Sequence, residues 1–231
     1  MAELSNFFPL TAYKAKLGLE ESYRTQLIDD IIKDYESNKA NLKSNETAWT
    51  GDVNGYEFLH SRKLFETLFT EISKHVEEYR QNLRVSENVF DFYYTRSWGT
   101  VTDNQQDIHF HQHMQSHVTV VYYLKVPQGS GDIILEPFGN YNQNEFIPGL
   151  IQKQSFRDGT IEPSLYLSPG ASINVDTDDV LIFPSKTSHG TVKSKSQEKR
   201  ISIAADIVAV LKDSSRRERF LPPLEMWRKF S

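Results

Sequence analysis

Four of the seven histidines in this chain lie within residues 108–126, a stretch that reads IHFHQHMQSHVTVVYYLKV. The later part of the stretch is rich in β-branched and aromatic residues, which is typical of a buried or half-buried strand. Because successive side chains of a regular strand point to opposite faces, every second residue can share a face with the histidines. That face would hold His109, His111, His113, His117, Thr119, Val121 and Tyr123. The stretch therefore predicts a strand with imidazoles gathered at its start.

Such a face is suited to a metal ion. Neutral imidazole binds iron, zinc, copper and nickel, and two ligands at positions i and i+2 of a strand can occupy adjacent coordination positions. The chain has no cysteine, so disulfides, thiolate zinc sites and iron–sulfur clusters are excluded and any metal must be held by nitrogen and oxygen. A single histidine in this stretch is more simply explained as solvated or hydrogen-bonded. The cluster, joined by a distant ligand, favours a metal site.

Composition and charge narrow the classes of function. A chain of 231 residues with 38% hydrophobic residues can bury the core of one large β-rich domain. The net charge of -5 gives no general basic surface, so we expect neither nucleic-acid binding nor attraction to an anionic membrane. Residues 1–10 lack a basic segment followed by an apolar run, and no apolar run reaches the length of a membrane span. The expected location is the cytoplasm.

The chain begins with helical patterning. Apolar residues recur at helical spacing over residues 19–37 and again over 61–83, which predicts two amphipathic helices. Ser61 is the predicted N-cap of the second helix, because its side chain can accept a hydrogen bond from the first helical turn. His75 falls on the apolar face of that helix, which indicates a structural role.

Beyond residue 87 the patterning becomes extended. Short strand-like segments separated by turn signals, without alternating helices, favour a jelly roll with the helices packed outside the barrel. The predicted strands cover residues 89–98, 132–136, 164–167, 171–175, 180–183, 191–193 and 200–210, and residues 99–106 form a turn-rich connector. The long polar segment 138–163 predicts a lid or a binding loop. The expected fold class is mainly β, of the α+β type.

We expect one domain in three parts: a helical part over residues 1–86, a jelly-roll core over 87–210 and a basic tail over 211–231. A charged run is usually a solvated face. The apolar residues of the tail nevertheless predict that it packs back on the domain or on a neighbouring subunit, as in a homodimer. These residues are Leu221, Leu224, Met226, Trp227 and Phe230.

A distant partner for the histidine cluster follows the apolar segment 180–183. His189 stands where a further strand should begin, and Arg200-Ile201-Ser202 then opens the last strong strand. In a jelly roll these strands can lie beside or across from each other, so His189 and Arg200 can project into one cavity. A guanidinium with a hydroxyl two residues later on the same face would form a carboxylate receptor.

Taken together and in this order, the motifs resemble the iron(II)/2-oxoglutarate-dependent dioxygenase superfamily. The resemblance is carried by His111-x-His113, the strand with Tyr122-Tyr123-Leu124 and Pro127, the Gly-Asp-Ile-Ile turn and strand, Phe183-Pro184 before His189, and Arg200-x-Ser202. More narrowly, the chain is similar to an oxygenase group, frequent in marine phages and bacteria, in which H-x-H precedes a V-Y-Y-L strand. The resemblance covers nearly the whole chain.

The resemblance implies a double-stranded β-helix that holds Fe(II) with a facial triad and binds 2-oxoglutarate and O2. Position by position, His111 matches the first metal ligand, His189 the distal ligand, and Arg200 with Ser202 the pair that binds the far carboxylate of 2-oxoglutarate. Tyr123, on the inward face by parity, is a candidate for a second hydrogen bond to that cosubstrate. The implied reaction is hydroxylation of a small-molecule or peptidyl substrate with decarboxylation of 2-oxoglutarate to succinate and CO2.

The chain departs from the usual triad at His113, where the superfamily ordinarily has Asp or Glu. Either His111, His113 and His189 form a three-histidine site, or His113 lies outside the coordination sphere and another group completes the triad. Two other functions stay open at this stage. One is a cupin-type metalloenzyme with three histidines and no 2-oxoglutarate; the other is a jelly-roll binding or structural module whose histidines are incidental.

Overall fold

The computed structural model describes residues 10–38, 46–136, 150, 153–162, 168, 170–214 and 218–230. Within these residues the chain forms nine strands and three α-helices. The strands are β1 (Tyr13–Lys16), β2 (Trp49–Thr50), β3 (Phe90–Thr102), β4 (Val118–Lys125), β5 (Ile133–Glu136), β6 (Ala171–Ile173), β7 (Asp179–Pro184), β8 (Ser188–Thr191) and β9 (Arg200–Leu211). The helices are α1 (Glu21–Asn38), α2 (Glu66–Asn82) and α3 (Lys153–Arg157).

Two antiparallel sheets form the body of the protein. The larger has the strand order β1-β7-β4-β9-β3-β2, and the smaller has the order β6-β5-β8. The N-terminal part contributes both edge strands of the larger sheet as well as two helices. The order interleaves strands distant in sequence, as in a jelly roll, and the architecture is the expected double-stranded β-helix with helices outside.

The larger sheet is covered on both faces, and its sequence shows why. Along β9, Ile201, Ile203, Ala205 and Ile207 point toward α1 and α2 and join the main hydrophobic core, which includes Leu27, Ile31, Leu68 and Ile72 from those helices. The alternate residues point to the other face, toward the smaller sheet. Burying apolar side chains of Leu or Ile size contributes roughly 1.5–3 kcal/mol each, so this alternation fixes the register of β9 strongly.

A second, smaller core fills part of the space between the sheets. It consists of Tyr123, Ile133, Leu135, Val175, Leu181 and Phe183. Cross-strand pairing places the inward residues of β4 opposite those of β9: Thr119 pairs with Asp206, and Tyr123 pairs with Ser202. Of these residues, Tyr123, Ser202 and Asp206 line a cavity beside this core.

Several predicted elements differ from the structure. The first helix and the strands at 132–136, 180–183 and 200–210 are confirmed to within a few residues. Ser61, however, does not cap the second helix: it ends a 3-10 turn, and α2 begins at Glu66 after a second such turn. The first long strand also does not stop at Trp98, because β3 continues to Thr102 in register with β9.

The continuation of β3 passes through Gly99, which in the sequence had indicated a turn. A Cβ atom at Gly99 would lie 2.7 Å from Cγ2 of Ile31 on α1, so the glycine allows the helix to approach the strand closely. The predicted strand at 191–193 lies earlier, as β8, and contains His189. The predicted strand 164–167 and most of the predicted loop 138–163 lie outside the described residues.

Among the described residues, no helix combines the length and apolar character that crossing a lipid bilayer would require.

Candidate metal centre

The histidine cluster is formed by a loop that pairs with β8. The prediction that His109, His111, His113 and His117 share the face of one regular strand is wrong, because β4 begins only at Val118. Instead, the amide of His111 donates to the carbonyl of His189, and the amide of His189 donates to the carbonyl of His111, both at 3.0 Å. This two-residue bridge sets two imidazoles side by side. The amide of His113 is held by the carbonyl of Ser185 at 3.1 Å.

Glycine is required next to this bridge. A Cβ atom at Gly190 would lie 2.9 Å from the carbonyl oxygen of Ile108, closer than real Cβ contacts come. Gly190 thus lets the loop before His111 lie against β8.

The three imidazoles are oriented by hydrogen bonds at Nδ1. His111 Nδ1 lies 2.9 Å from the carbonyl oxygen of His109, His189 Nδ1 lies 2.9 Å from that of Thr187, and His113 Nδ1 lies 2.5 Å from Oδ1 of Asp206. Carbonyl and carboxylate oxygens only accept hydrogen bonds, so in each ring Nδ1–H is the donor. In the neutral ring Nε2 then keeps a lone pair that can bind a metal, and metal-binding histidines usually have their other ring N–H bonded to a carbonyl or carboxylate in this way.

The donor atoms of His111, His113 and His189 converge. One ring nitrogen from each lies within 4.8 Å of the others, and Nε2 of His111 lies 3.1 Å from Nε2 of His113. Two ligands at about 2.1 Å from one metal and roughly 90° apart would be separated by about 3.0 Å. Two unprotonated nitrogens this close repel each other unless a cation lies between them, so the donor set fits a divalent metal.

The electrostatics favour neutral imidazoles. Burial, with His111 nearby, lowers the pKa of His189 to about 3, and only 5% of His189 is exposed. Partial burial also lowers the pKa of His111, although one side of this residue faces solvent at the cavity mouth. Both rings are therefore unprotonated near neutral pH, as metal coordination requires.

A separate group of polar residues lies further along the inward face. Arg200 is 3% exposed, and within the described part of the chain its Nε and Nη1 atoms have no hydrogen-bond partner. The same holds for the hydroxyl of Tyr123, whose ring lies under the guanidinium with 5.0 Å between Cζ and the ring centroid. Burial raises the pKa of Tyr123 to about 12, against the opposing effect of Arg200, so the hydroxyl remains a donor. Hydrogen-bond donors that lack acceptors in a buried pocket form a receptor for an anion.

Both groups line one cavity of about 510 Å³. Such a volume falls in the range of roughly 300–1,000 Å³ that is usual for small-molecule sites. The three histidines lie on its wall together with Arg200, Ser202 and Tyr123, and its other lining residues include Asp52, Arg96, Trp98, Thr191 and Asp206. The structure therefore brings together the residues that the motifs predicted as site residues.

Other histidines are placed apart from this group. His109 lines the cavity but is 73% exposed in its side chain and lies 3.4 Å from Asp107. His117 accepts a hydrogen bond from the amide of Ala209, and His75 lies 2.7 Å from the hydroxyl of Tyr13. The structural interpretation of His75 fits this contact.

The sequence interpretation missed Asp206. It is 4% exposed on the inward face of β9, where it lies two residues beyond Ala204 and four beyond Ser202. Strand alternation could have identified it, because Asp206 is the only carboxylate in the last strand and falls on the same face as Arg200 and Ser202.

Sequence comparison finds a family match over part of the chain. Residues 96–206 match the family described as "Putative 2OG-Fe(II) oxygenase". This segment contains the second half of β3, the strands β4 to β8, the first part of β9 and the candidate site residues His111, His113, Tyr123, His189, Arg200, Ser202 and Asp206. Among curated proteins, none matches the chain in sequence.

Solved structures show the same architecture. The viral collagen prolyl hydroxylase of Paramecium bursaria Chlorella virus-1, solved with 2-oxoglutarate, has a TM-score of 0.51 at 13% identity, covering 85% of this chain and 94% of its own. HygX from Streptomyces hygroscopicus, with nickel and 2-oxoglutarate bound, has a TM-score of 0.53 at 12% identity, covering 86% and 83%. The α-ketoglutarate-dependent carbocyclase SnoK of nogalamycin biosynthesis has a TM-score of 0.55 at 14% identity, covering 92% and 87%.

At these identities the likeness shows the fold. The family match over residues 96–206, slightly less than half of the chain, agrees with the resemblance to the iron(II)/2-oxoglutarate-dependent dioxygenase superfamily that the motifs predicted. Enzymes of this superfamily use Fe(II), 2-oxoglutarate and O2, which are the cofactors expected from the sequence.

Proposed function

We propose that the protein is an Fe(II)- and 2-oxoglutarate-dependent oxygenase that hydroxylates its substrate while 2-oxoglutarate is decarboxylated to succinate and CO2. One observation carries the proposal: three converging imidazole nitrogens line the same cavity as a buried guanidinium whose Nε and Nη1 have no hydrogen-bond acceptor among the described residues. The first group fits a metal ion and the second fits an anion. A cosubstrate that chelates a metal through one end and carries a carboxylate at the other would satisfy both.

In this proposal His111, His113 and His189 would hold Fe(II) through Nε2. Their Nδ1–H groups are already bound to fixed acceptors, so the rings need little reorientation when the metal binds. When bound, the metal and cosubstrate supply the oxidising chemistry, in which one oxygen atom of O2 enters succinate and the other enters the substrate.

At the opposite group, Arg200 would bind the far carboxylate of 2-oxoglutarate. A guanidinium matches a carboxylate with two parallel hydrogen bonds, and such charge-assisted bonds are the stronger class. Tyr123 would add its hydroxyl, and Ser202, its cross-strand neighbour, would add a second hydroxyl. These three residues orient the cosubstrate relative to the metal and exclude water from its buried end.

The substrate would enter at the mouth of the cavity. There Trp98 packs against His113 with 5.5 Å between ring centroids, and Arg96 lies over Trp98 with Cζ 5.1 Å from its ring centroid. Asp52, whose backbone carbonyl accepts a hydrogen bond from Arg96, completes this rim. The rim would accommodate a small molecule or a peptide side chain beside the metal, in keeping with the expected class of substrate.

The test is an anaerobic titration of the purified protein with Fe(II), then with 2-oxoglutarate, followed by visible absorbance. We expect a metal-to-ligand charge-transfer band that appears only when both are present, and succinate formation when O2 is admitted. Arg200→Ala is the matched variant: it should take up Fe(II) but require more 2-oxoglutarate for the same band.

The same titration separates the proposal from the cupin-type alternative, which the three histidines would also suit. If Fe(II) binds at one equivalent but 2-oxoglutarate produces no band and no change in iron affinity, a three-histidine enzyme without 2-oxoglutarate becomes the better description. If no metal binds, the histidines are structural and the enzyme proposal is wrong.

A further inference from the structure

Asp206 makes a short contact with the candidate metal centre without being one of its three converging ligands. Its Oδ1 accepts the hydrogen bond from His113 Nδ1 at 2.5 Å, and it accepts another from the hydroxyl of Ser116 at 3.0 Å. Ser116 Oγ also lies 2.8 Å from Oγ of Ser185, and Ser185 lies 2.9 Å from the hydroxyl of Thr119. Because the single hydroxyl proton of Ser116 is donated to the carboxylate, Ser185 is the donor to Ser116. The carboxylate is thus fixed by a buried network of hydroxyls that holds it against one imidazole.

A carboxylate in this position is costly unless it has a role. Asp206 is 4% exposed, and its other oxygen, Oδ2, forms only a long ion pair with Nη1 of Arg96 at 3.9 Å. Desolvating a carboxylate costs several kcal/mol before any compensation. An asparagine of the same shape would fit the hydroxyl network and accept the hydrogen bond from His113 without that cost. The negative charge itself therefore calls for an explanation.

We propose that Asp206 is a positioning residue that supplies, through His113, the negative charge that a three-histidine iron site lacks. The inference rests on the proposed function and deepens it. With three neutral imidazoles the protein offers the metal no formal charge. A carboxylate hydrogen-bonded to Nδ1–H makes the imidazole a stronger electron donor and fixes its tautomer. The negative charge would therefore act on the metal through the imidazole and not through a direct bond.

The hydrogen bond that orients His113 differs in kind from those that orient the other two imidazoles. His111 and His189 each donate to the backbone carbonyl two residues earlier in the chain. His113 donates instead to a side chain from β9, and β9 is the strand that also carries Arg200 and Ser202. Asp206 therefore links the histidine loop to the strand that forms the cosubstrate end of the cavity.

The test compares Asp206→Asn and Asp206→Ala by Fe(II) affinity measured anaerobically without 2-oxoglutarate. Asp206→Asn keeps shape and hydrogen bond but removes the charge, and we expect about 10-fold weaker Fe(II) binding. Asp206→Ala removes both and should approach 100-fold, the upper range for loss of an outer-shell partner. Asp178→Asn is the matched control, because Asp178 is also a hydrogen-bonded carboxylate, held by Tyr122 and Gly18 instead of a histidine. It should leave Fe(II) affinity unchanged.

A double-mutant cycle with His113→Ala separates positioning from a general effect on the fold. Once the imidazole is gone, Asp206 has no route to the metal, so Asp206→Asn should cost little further Fe(II) affinity in the His113→Ala background. Additive losses would overturn the inference, as would wild-type affinity in Asp206→Asn. A loss in Asp206→Asn as complete as in His189→Ala would also overturn it, since Asp206 would then be a ligand itself.

These outcomes are independent of the cosubstrate. If the wild-type protein binds Fe(II) but not 2-oxoglutarate, the proposed function fails while the affinities of the Asp206 variants still decide the role of Asp206. Melting temperatures of the metal-free proteins, measured alongside, identify any variant whose affinity falls because it is unfolded.

Discussion

The two ends of the cavity are built differently. At the histidine end, each Nδ1–H is already bound to an acceptor within the chain. At the arginine end, Nε and Nη1 of Arg200 and the hydroxyl of Tyr123 have no partner among the described residues, although both residues are almost fully buried. The chain thus supplies acceptors for the Nδ1–H groups of the histidine end by itself, whereas the arginine end lacks hydrogen bonds that an anionic ligand would supply.

This difference separates orientation from binding. Metal ligands must be held in one geometry before the ion binds, so the hydrogen bonds that orient the three rings are already made within the protein. A receptor for a carboxylate gains affinity if its donors are left unpaired and gain their partner only on binding. The predictions below test whether the two ends depend on different residues.

The largest effect is expected at the histidine end, from His189→Ala. His189 is 5% exposed and contributes one of the three converging nitrogens, so its loss should weaken Fe(II) binding by more than about 100-fold, beyond the effect of any outer-shell change. Iron stoichiometry after anaerobic loading measures this. His111→Ala should behave in the same way, and His75→Ala, outside the cavity, should load normally. Unchanged iron content in His189→Ala would show that the three histidines do not form the metal site.

The next effect belongs to the arginine end. Arg200→Ala should weaken 2-oxoglutarate binding by about 1.5–3 kcal/mol, or roughly 10–150-fold, because a charge-assisted pair to the carboxylate is lost. Fe(II) affinity without cosubstrate should stay near the wild-type value. Titration of each ligand in turn measures both quantities. If Arg200→Ala abolished iron binding, the two ends would not be separable in the way the hydrogen bonds indicate.

Stability provides a third contrast. Arg200→Met keeps the aliphatic stem but removes donors that have no acceptor, so the metal-free protein should become more stable by about 1–3 kcal/mol. Asp206→Ala should have the opposite sign, because it leaves Ser116 and His113 without their acceptor. Urea unfolding without metal or cosubstrate gives both free energies. A destabilised Arg200→Met would show that the guanidinium has a partner in the folded chain.

Much of the arginine end was predictable from sequence because it depends on strand parity. Arg200, Ser202 and Tyr123 lie on regular strands, and alternation places them on the inward face as expected. The same rule, applied two steps further along β9, would have found Asp206.

The histidine end was less predictable in its form. The motif identified which histidines belong together, but their backbone is a loop whose geometry depends on pairing with β8, nearly eighty residues away in the chain. Likewise, Gly99 indicated a turn in the sequence, whereas in the structure its lack of a side chain allows Ile31 of α1 to pack closely against β3. In both cases a contact between residues far apart in the chain decided the local structure. Sequence periodicity alone does not contain that information.

The smallest effect is expected from Tyr123→Phe, and it distinguishes a binding role for the hydroxyl from simple packing. The ring is fully buried under Arg200 and would be retained, so the free energy of unfolding of the metal-free protein should not fall. If the hydroxyl donates to 2-oxoglutarate, affinity should drop by about 0.5–1.5 kcal/mol, as for one ordinary hydrogen bond. Because burial raises the pKa of Tyr123 to about 12, the hydroxyl stays protonated at lower pH, and the ratio of the two affinities should be constant between about pH 6 and pH 9. Equal 2-oxoglutarate affinity in the two proteins would assign Tyr123 to packing, and would leave Arg200 with Ser202 as the carboxylate receptor.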